Sequence, residues 1–242
     1  GGRFYGGFWQ QIPREYRRYI CIDGFPTVEV DYRSHHPVLL YARKGVNYWK
    51  EHGPDNDPYD LSDQFIEINK WRGYEVTVGG AVAPGGLPNE YTLLELERQL
   101  IKTLMLCMVN SKSDEEAIRA TRKDIRAQNG DQWNHFYNSL TNELMEPYVK
   151  AIRMKHKPIR DYLSQGKSLG LQFLDSQITE ELVDYFTRRG IPILTVHDSY
   201  VIPEAHVQDL RRQMSRIWNK HSGLNNRGVT VDWEAEYLAR MG

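Results

Sequence analysis

Residues 190–203 read GIPILTVHDSYVIP, two apolar runs on either side of the polar tripeptide HDS. The runs predict strands at about Ile191–Val196 and Tyr200–Ile202, because Asp and Ser are common turn formers. Burying the Asp198 carboxylate at a strand end is costly unless it is paired or binds a metal. The segment is therefore either an ordinary hairpin turn or a hairpin that presents a metal ligand beside a second carboxylate.

Asp31 is the candidate for that second carboxylate. It lies in the alternating segment PTVEVDY at residues 26–32, which predicts a strand, and a short helix is expected to follow with Ser34 as its cap. Two aspartates at the ends of adjacent strands can hold two divalent ions for phosphoryl transfer, and Mg²⁺ prefers such oxygen ligands. Glu29 would share the strand face of Asp31.

The remaining patterns predict an α+β protein. Helices are expected from about residue 61 and at about 89–110, 113–128, 131–146, 148–165, 171–189 and 204–220, with Gly45 and Gly190 as helix stops and an edge strand within 228–237. Residues 72–90 contain most of the local Gly and Pro and predict a flexible connection.

Composition places few limits on function. The 242 residues include 31 Lys and Arg and 32 Asp and Glu, so any nucleic-acid surface would have to be local. Cys21 and Cys107 lack CxxC spacing, which argues against a zinc site or a disulfide framework. No apolar run of about 18 residues is present, so we expect no membrane partner and a cytoplasmic protein.

Arg98 and Lys102 lie four residues apart in the helix expected over 89–110, and Leu106 and Asn110 continue the same face. Two cations on one rigid face can hold a triphosphate, with Arg as a bidentate fork and Lys as a point charge. A solvated, charged edge on a core helix is the alternative interpretation.

Taken in order, these segments resemble the palm and fingers of the superfamily of family A DNA polymerases and single-subunit RNA polymerases. GRFYGG followed by QQIPREYRR resembles the GR element, VEVDYRSHHPVLLYA resembles motif A, Arg98-x3-Lys102 resembles motif B, VHDSY resembles motif C, and SLGLQFLDSQI is similar to the palm helix with its glutamine. The resemblance covers Gly2 to about Trp218 and suggests a divergent, phage- or plasmid-like member.

The resemblance implies a role for each matched residue. Asp31 and Asp198 would hold two Mg²⁺ ions, with Mn²⁺ as a substitute, helped by the backbone carbonyl of Tyr32. Arg98 and Lys102 would bind the β- and γ-phosphates, and Lys102 would protonate the leaving pyrophosphate. Primer–template contacts are implied for Arg3, Arg14, Arg17, Gln172 and His197, and stacking on bases for Tyr5, Phe8 and Trp9. Surface charge, a satisfied turn histidine and core packing are the respective alternatives for the arginines, His197 and the aromatic residues.

The departures from the family pattern concern the choice of product. His36 stands five residues after Asp31, where the DNA polymerases have a glutamate that helps exclude the ribose 2′-hydroxyl. Asn110 replaces a tyrosine, Leu106 replaces an aromatic residue, and Ser199 follows the motif C aspartate as in the RNA polymerases. DNA and RNA products both stay open, while His36 and the Q-x-IP stretch favour DNA.

The resemblance implies a palm formed by residues 1–72 and 166–242 and helical fingers formed by 73–165, with no thumb. We therefore expect a DNA polymerase acting on DNA primer–template and dNTPs, with a further domain or subunit supplying the thumb. The alternatives are an RNA polymerase or primase, an untemplated nucleotidyltransferase, a non-catalytic nucleic-acid-binding module and, outside the superfamily, a two-metal nuclease.

Overall fold

The computed structural model describes residues 4–64, 93–129, 140–224 and 231–232. The chain forms two compact units, of which the first combines residues 1–56 with 169–242 and the second comprises 57–168. The sequence analysis placed the corresponding boundaries after residues 72 and 165, and residue 72 lies outside the described ranges. In the first unit, two segments far apart in sequence build one sheet.

The helices of the described residues agree in position with most of the sequence predictions. They are α1 (Arg14–Arg17), α2 (His35–Arg43), α3 (Tyr48–His52), α4 (Leu93–Asn110), α5 (Asp114–Asn129), α6 (Asn142–Lys155), α7 (Ser168–Thr187) and α8 (Val207–Ser222), with 3₁₀ turns at Phe8–Gln10, Ser62–Gln64, Lys157–Tyr162 and Glu204–His206. None of these helices is both long enough and apolar enough to cross a lipid bilayer.

The strands are β1 (Cys21–Ile22), β2 (Phe25–Tyr32), β3 (Leu194–Val196), β4 (Ser199–Pro203) and β5 (Val231–Asp232). They form an antiparallel sheet in the order β1-β2-β4-β3, and β5 pairs with β2. A small antiparallel sheet combined with many helices confirms the α+β prediction, and the predicted hairpin around Asp198 is confirmed as β3–β4. The chain's last predicted strand is also present, as β5.

The sheet's core face follows from the alternation in β2. Val28, Val30 and Tyr32 are buried, whereas Glu29 and Asp31 on the other face are only half-buried. Helices α2, α7 and α8 supply most of the remaining core of this unit, through Val38, Leu39, Leu40, Tyr41, Ile178, Leu182, Phe186, Leu210, Met214, Ile217 and Trp218. The half-buried acids are therefore left on the face away from this packing.

The turn between β2 and α2 is tight. Ser34 adopts a left-handed conformation with φ +51°, and the backbone N–H of Val38 donates to the Ser34 carbonyl at 3.2 Å. Ser34 occupies the N-cap position as predicted, but its side chain makes no capping hydrogen bond. Helix α2 ends at Arg43, and Gly45 with φ +74° confirms the predicted stop.

The second unit is helical in its described residues. Its core contains Leu104, Met105 and Met108 of α4, Ala117, Ile118 and Ile125 of α5, and Met145, Val149 and Ile152 of α6. The prediction of two helices meeting near Pro147 was wrong, because α6 continues through this proline. The buried face of α6 continues on both sides of Pro147, so tertiary packing outweighs the one lost hydrogen bond. Most of the region before it, residues 131–139, lies outside the described ranges.

Candidate metal centre

Asp31 and Asp198 lie side by side in the first unit. In the register of β2 and β4, Asp31 is opposite Ser199, and Asp198 directly precedes Ser199. The pairing of Val196 with Ser199 leaves His197 and Asp198 as the two residues of the hairpin turn. Both aspartates are half-buried. The fold thus brings together the two aspartates that the sequence analysis selected, although they lie 167 positions apart in the chain.

The electrostatics of the neighbouring tyrosine show how closely the acids gather. Burial, opposed in part by the Thr179 hydrogen bond, raises the pKa of Tyr200, and the carboxylates of Asp175, Asp198 and Asp31 raise it further. Asp31 and Asp198 are therefore both near enough to this buried tyrosine to disfavour its charged form.

Glu29 shares the strand face of Asp31 but is occupied differently. Its carboxylate forms a bidentate ion pair with Arg17, at 2.8 Å from Nε to Oε2 and 3.0 Å from Nη2 to Oε1. The Ser199 hydroxyl oxygen is 2.6 Å from Glu29 Oε1 and 3.0 Å from the Val196 carbonyl. Arg17 keeps only 11% of its side chain exposed. The structure therefore places Arg17, a predicted nucleic-acid contact, against Glu29 beside the hairpin.

A histidine and an aspartate meet below the turn that follows Asp31. His35 Nε2 donates to Asp175 Oδ1 at 3.1 Å, and both side chains are almost completely buried. The pKa of His35 is raised: burial alone would lower it, but the hydrogen bond and charge of Asp175 outweigh burial, with help from Asp198 and Asp31. The sequence analysis assigned no role to either His35 or Asp175.

Tyr32 and His36 flank this buried pair. The Tyr32 hydroxyl donates to the carbonyl of Met214 in α8 at 3.0 Å, so the Tyr32 side chain is part of the core. Of Tyr32, only the backbone is therefore available as a metal ligand beside Asp31. His36 is half-buried in the first turn of α2, and its ring lies edge-on to that of His35 at 5.4 Å.

The N-terminal segment is fixed to the hairpin. Trp9 Nε1 and Gln10 Nε2 both donate to the carbonyl oxygen of Thr195 in β3, at 3.0 and 2.9 Å. Tyr5 and Phe8 are exposed, at 72% and 65%, while Trp9 is half-buried. The hairpin that carries Asp198 is therefore held from this side as well.

Among the other predicted nucleic-acid contacts, His197 is exposed in the hairpin turn with φ +56°, and Gln172 is half-buried in α7. Arg14 begins α1, and Arg3 lies outside the described residues. His197 and Gln172 both belong to the unit that contains the paired aspartates.

The predicted phosphate-binding face belongs to the second unit. Arg98, Lys102 and Asn110 are exposed at four- or eight-residue intervals along α4. Arg98 Nε forms an ion pair with Asp57, and its guanidinium lies 5.5 Å from the ring centre of Tyr59. Asn110 Nδ2 donates to the Leu106 carbonyl at 2.8 Å, an interaction within the helix. Within this unit Lys102 is exposed to solvent, while the half-exposed Arg98 is already paired with Asp57.

The donor set suits a hard divalent ion. Asp31 and Asp198 offer only carboxylate oxygens, and Mg²⁺ is commonly held by one or two carboxylates together with substrate phosphates. Over the described ranges, no group of three or more His, Cys, Asp or Glu side chains is arranged to hold a metal. Two carboxylates with further ligands from a phosphorylated substrate fit the residues present.

No protein-family model matches the chain, and a comparison with curated proteins finds no significant match. The arrangement of the site therefore carries the functional argument.

Proposed function

We propose that the chain is a template-directed nucleotidyltransferase, with DNA as its product, that uses two-metal phosphoryl transfer. The observation that carries this proposal is the pairing of β2 with β4, which sets Asp31 beside Asp198 at one end of a small antiparallel sheet. A palm in the first unit and helical fingers in the second would account for the resemblance of the motifs.

In this proposal Asp31 and Asp198 hold two Mg²⁺ ions, for which Mn²⁺ substitutes. When bound, such ions lower the pKa of an attacking hydroxyl and stabilise charge on the transferred and leaving phosphates. The backbone carbonyl of Tyr32 is a further oxygen near the first ligand. Since the Tyr32 hydroxyl is fixed in the core, that carbonyl is held in a constant orientation.

The remaining roles fall to other predicted residues. Arg98 and Lys102 bind the triphosphate, and Lys102 delivers a proton to the departing pyrophosphate. His36 and Asn110 contact the incoming nucleotide, while His197, Gln172, Arg3 and Arg14 contact the primer–template. Arg17 is given no such contact, because Glu29 already holds its guanidinium and its side chain is largely buried. A thumb would come from a further domain or subunit.

Primer extension tests the proposal. A labelled DNA primer on a DNA template is incubated with Mg²⁺ and either dNTPs or NTPs, using wild-type protein, Asp31→Asn and Asp198→Asn. We expect template-dependent extension with dNTPs that both substitutions reduce by at least about 10³-fold, since each removes a metal ligand. Asp184→Asn is the matched control, because its carboxylate is 51% exposed in a helical pair with Arg188.

Each alternative outcome has a distinct meaning. Extension with NTPs alone would assign the chain to RNA synthesis and would exclude His36 as a gate against ribonucleotides. Extension without a template would indicate an untemplated transferase. Duplex binding without extension, together with unchanged Asp31→Asn and Asp198→Asn proteins, would refute the catalytic proposal and favour a nucleic-acid-binding module.

A further inference from the structure

We propose that His35 and Asp175 are a positioning pair, which fixes the turn between Asp31 and His36 and thereby sets both metal affinity and sugar selection. The inference rests on the proposed function, because it assigns the pair to the same site. Neither residue is placed to touch substrate in this proposal, so both act through other groups.

The first support is the burial of the pair. His35 is the first residue of α2 and Asp175 lies in α7, and neither side chain is more than 4% exposed. A buried ionisable pair seldom stabilises a core more than apolar residues of the same volume would. Such a pair instead fixes the orientation of the side chain, because a hydrogen bond sets the rotation of a ring that apolar contacts would leave free.

The second support is that Asp175 alone orients the histidine ring through hydrogen bonding. His35 Nε2 bonds to Asp175, while His35 Nδ1 is buried and makes no hydrogen bond to the described protein atoms. The other close contacts of the ring are stacking on Tyr32 at 4.8 Å with a 24° interplanar angle and the edge contact with His36. Loss of Asp175 would therefore release the ring.

The third support is the position of the pair along the chain. Tyr32 directly follows Asp31, and its hydroxyl is fixed to Met214. Three residues later His35 is fixed to Asp175, and between these two anchors Ser34 is held in the left-handed region. Non-glycine residues adopt that conformation only where surrounding structure imposes it. The two anchors impose it here, and the direction in which Asp31 and His36 leave the turn depends on them.

A second buried hydrogen bond lies next to the pair. Tyr200 of β4 lies edge-on to Tyr32 at 6.2 Å, and its hydroxyl is 3.0 Å from that of Thr179, one helical turn beyond Asp175. This second buried hydrogen bond joins the same helix to the sheet and includes neither His35 nor Asp175. It therefore provides a matched control of similar burial.

The test measures Mn²⁺ affinity of the protein alone by electron paramagnetic resonance, so it needs no catalysis. We expect His35→Leu and Asp175→Asn to weaken Mn²⁺ binding by about tenfold, as is usual when the support of a metal ligand is lost. His35→Gln should stay close to wild type, because its amide nitrogen can donate where Nε2 does. Thr179→Val should lower the unfolding temperature while leaving Mn²⁺ affinity unchanged.

A second readout is the ratio of dNTP to NTP incorporation. It should fall in His35→Leu and Asp175→Asn but not in Thr179→Val, because only the first two release the neighbour of His36. A merely structural pair would change stability and leave both readouts at wild-type values, which would overturn the inference.

The double variant His35→Leu/Asp175→Leu keeps the test decisive if a single variant unfolds, since it leaves no buried charge. A folded double variant that binds Mn²⁺ as tightly as wild type refutes positioning, and one that binds about tenfold more weakly supports it. Failure of the proposed function appears differently: wild-type protein would then show no Mn²⁺ binding that Asp31→Asn or Asp198→Asn removes.

Discussion

Replacing Arg17 by methionine decides whether this arginine supports the hairpin or contacts nucleic acid. The substitution keeps most of the aliphatic stem and removes the guanidinium. In the native protein that group makes two hydrogen bonds to Glu29, and the two side chains are 11% and 9% exposed. The pair therefore belongs with buried ion pairs rather than with surface ones.

The expected magnitude follows from that burial. Removing one partner of a buried pair costs about 3–5 kcal/mol, because a charge is left without its counter-charge. Ser199 can still donate to Glu29, and a hydrogen bond to a charged group is worth about 1.5–3 kcal/mol. Since this Ser199 contact is already present in the native protein and remains after the substitution, we expect Arg17→Met to lower the unfolding free energy by about 3 kcal/mol, the lower end of the range for a broken buried pair.

Denaturant unfolding in a double-mutant cycle measures this effect. Arg17→Met/Glu29→Leu should lie within about 1 kcal/mol of wild type, since no buried charge remains. The control is Arg188→Met, whose partner Asp184 lies four residues earlier in α7 and whose side chain is 76% exposed; its cost should stay below about 0.5 kcal/mol. The salt dependence of DNA binding should be unchanged in Arg17→Met.

The opposite result would refute this reasoning. If Arg17→Met costs no more than Arg188→Met, the bidentate pair does not stabilise the fold. A lower salt dependence of DNA binding in the same variant would then identify Arg17 as a phosphate contact, as the resemblance implied.

Three further variants test neighbouring features. His197→Gly should raise the unfolding free energy by up to about 1 kcal/mol, because φ +56° strains a non-glycine residue, and a destabilised variant would contradict this expectation. The same substitution should reduce primer extension if His197 contacts the primer. Tyr200→Phe should cost about 1–2 kcal/mol in urea unfolding through loss of the bond to Thr179, and a neutral result would show that this bond contributes nothing. The raised pKa of His35 predicts a contribution to stability that is fully present below pH 6.5 and is lost as pH rises through the folded-state pKa. His35→Gln should flatten the pH dependence of the unfolding free energy. An identical pH profile in His35→Gln and wild type would contradict the assignment of this dependence to His35.

Local patterns were sufficient to predict the elements of this fold. Strict alternation predicted β2, Asp and Ser predicted the turn of the β3–β4 hairpin, and the helical spacing of apolar residues predicted α4. Each of these patterns is formed by residues close together in the chain, so it can be recognised from the sequence alone. The break expected at Pro147 failed because a buried helical face overrode a local rule.

Pairings over long sequence distances could not be predicted in the same way. His35 and Asp175 are separated by 140 positions, and no spacing rule connects a histidine after one strand with an aspartate in a distant helix. Asp31 and Asp198 were selected in advance because each lies at the end of a predicted strand and because the order of the motifs resembles that of a known superfamily. Register, which decides that Asp31 is opposite Ser199, came from the structure.

The contrast between Glu29 and Asp31 shows how register assigns chemistry. Both acids lie on one face of β2, two residues apart, so alternation alone does not distinguish which of them could bind a metal ion. Cross-strand neighbours separate them. Glu29 meets Arg17 and Ser199, which occupy both of its oxygens, while Asp31 lies at the strand end beside the turn that carries Asp198. Moving β4 by one residue would turn its alternate side chains to the other face of the sheet and remove Ser199 from Glu29. The same register that neutralises one acid thus sets the other beside Asp198, so a metal centre built on two carboxylates requires both outcomes together.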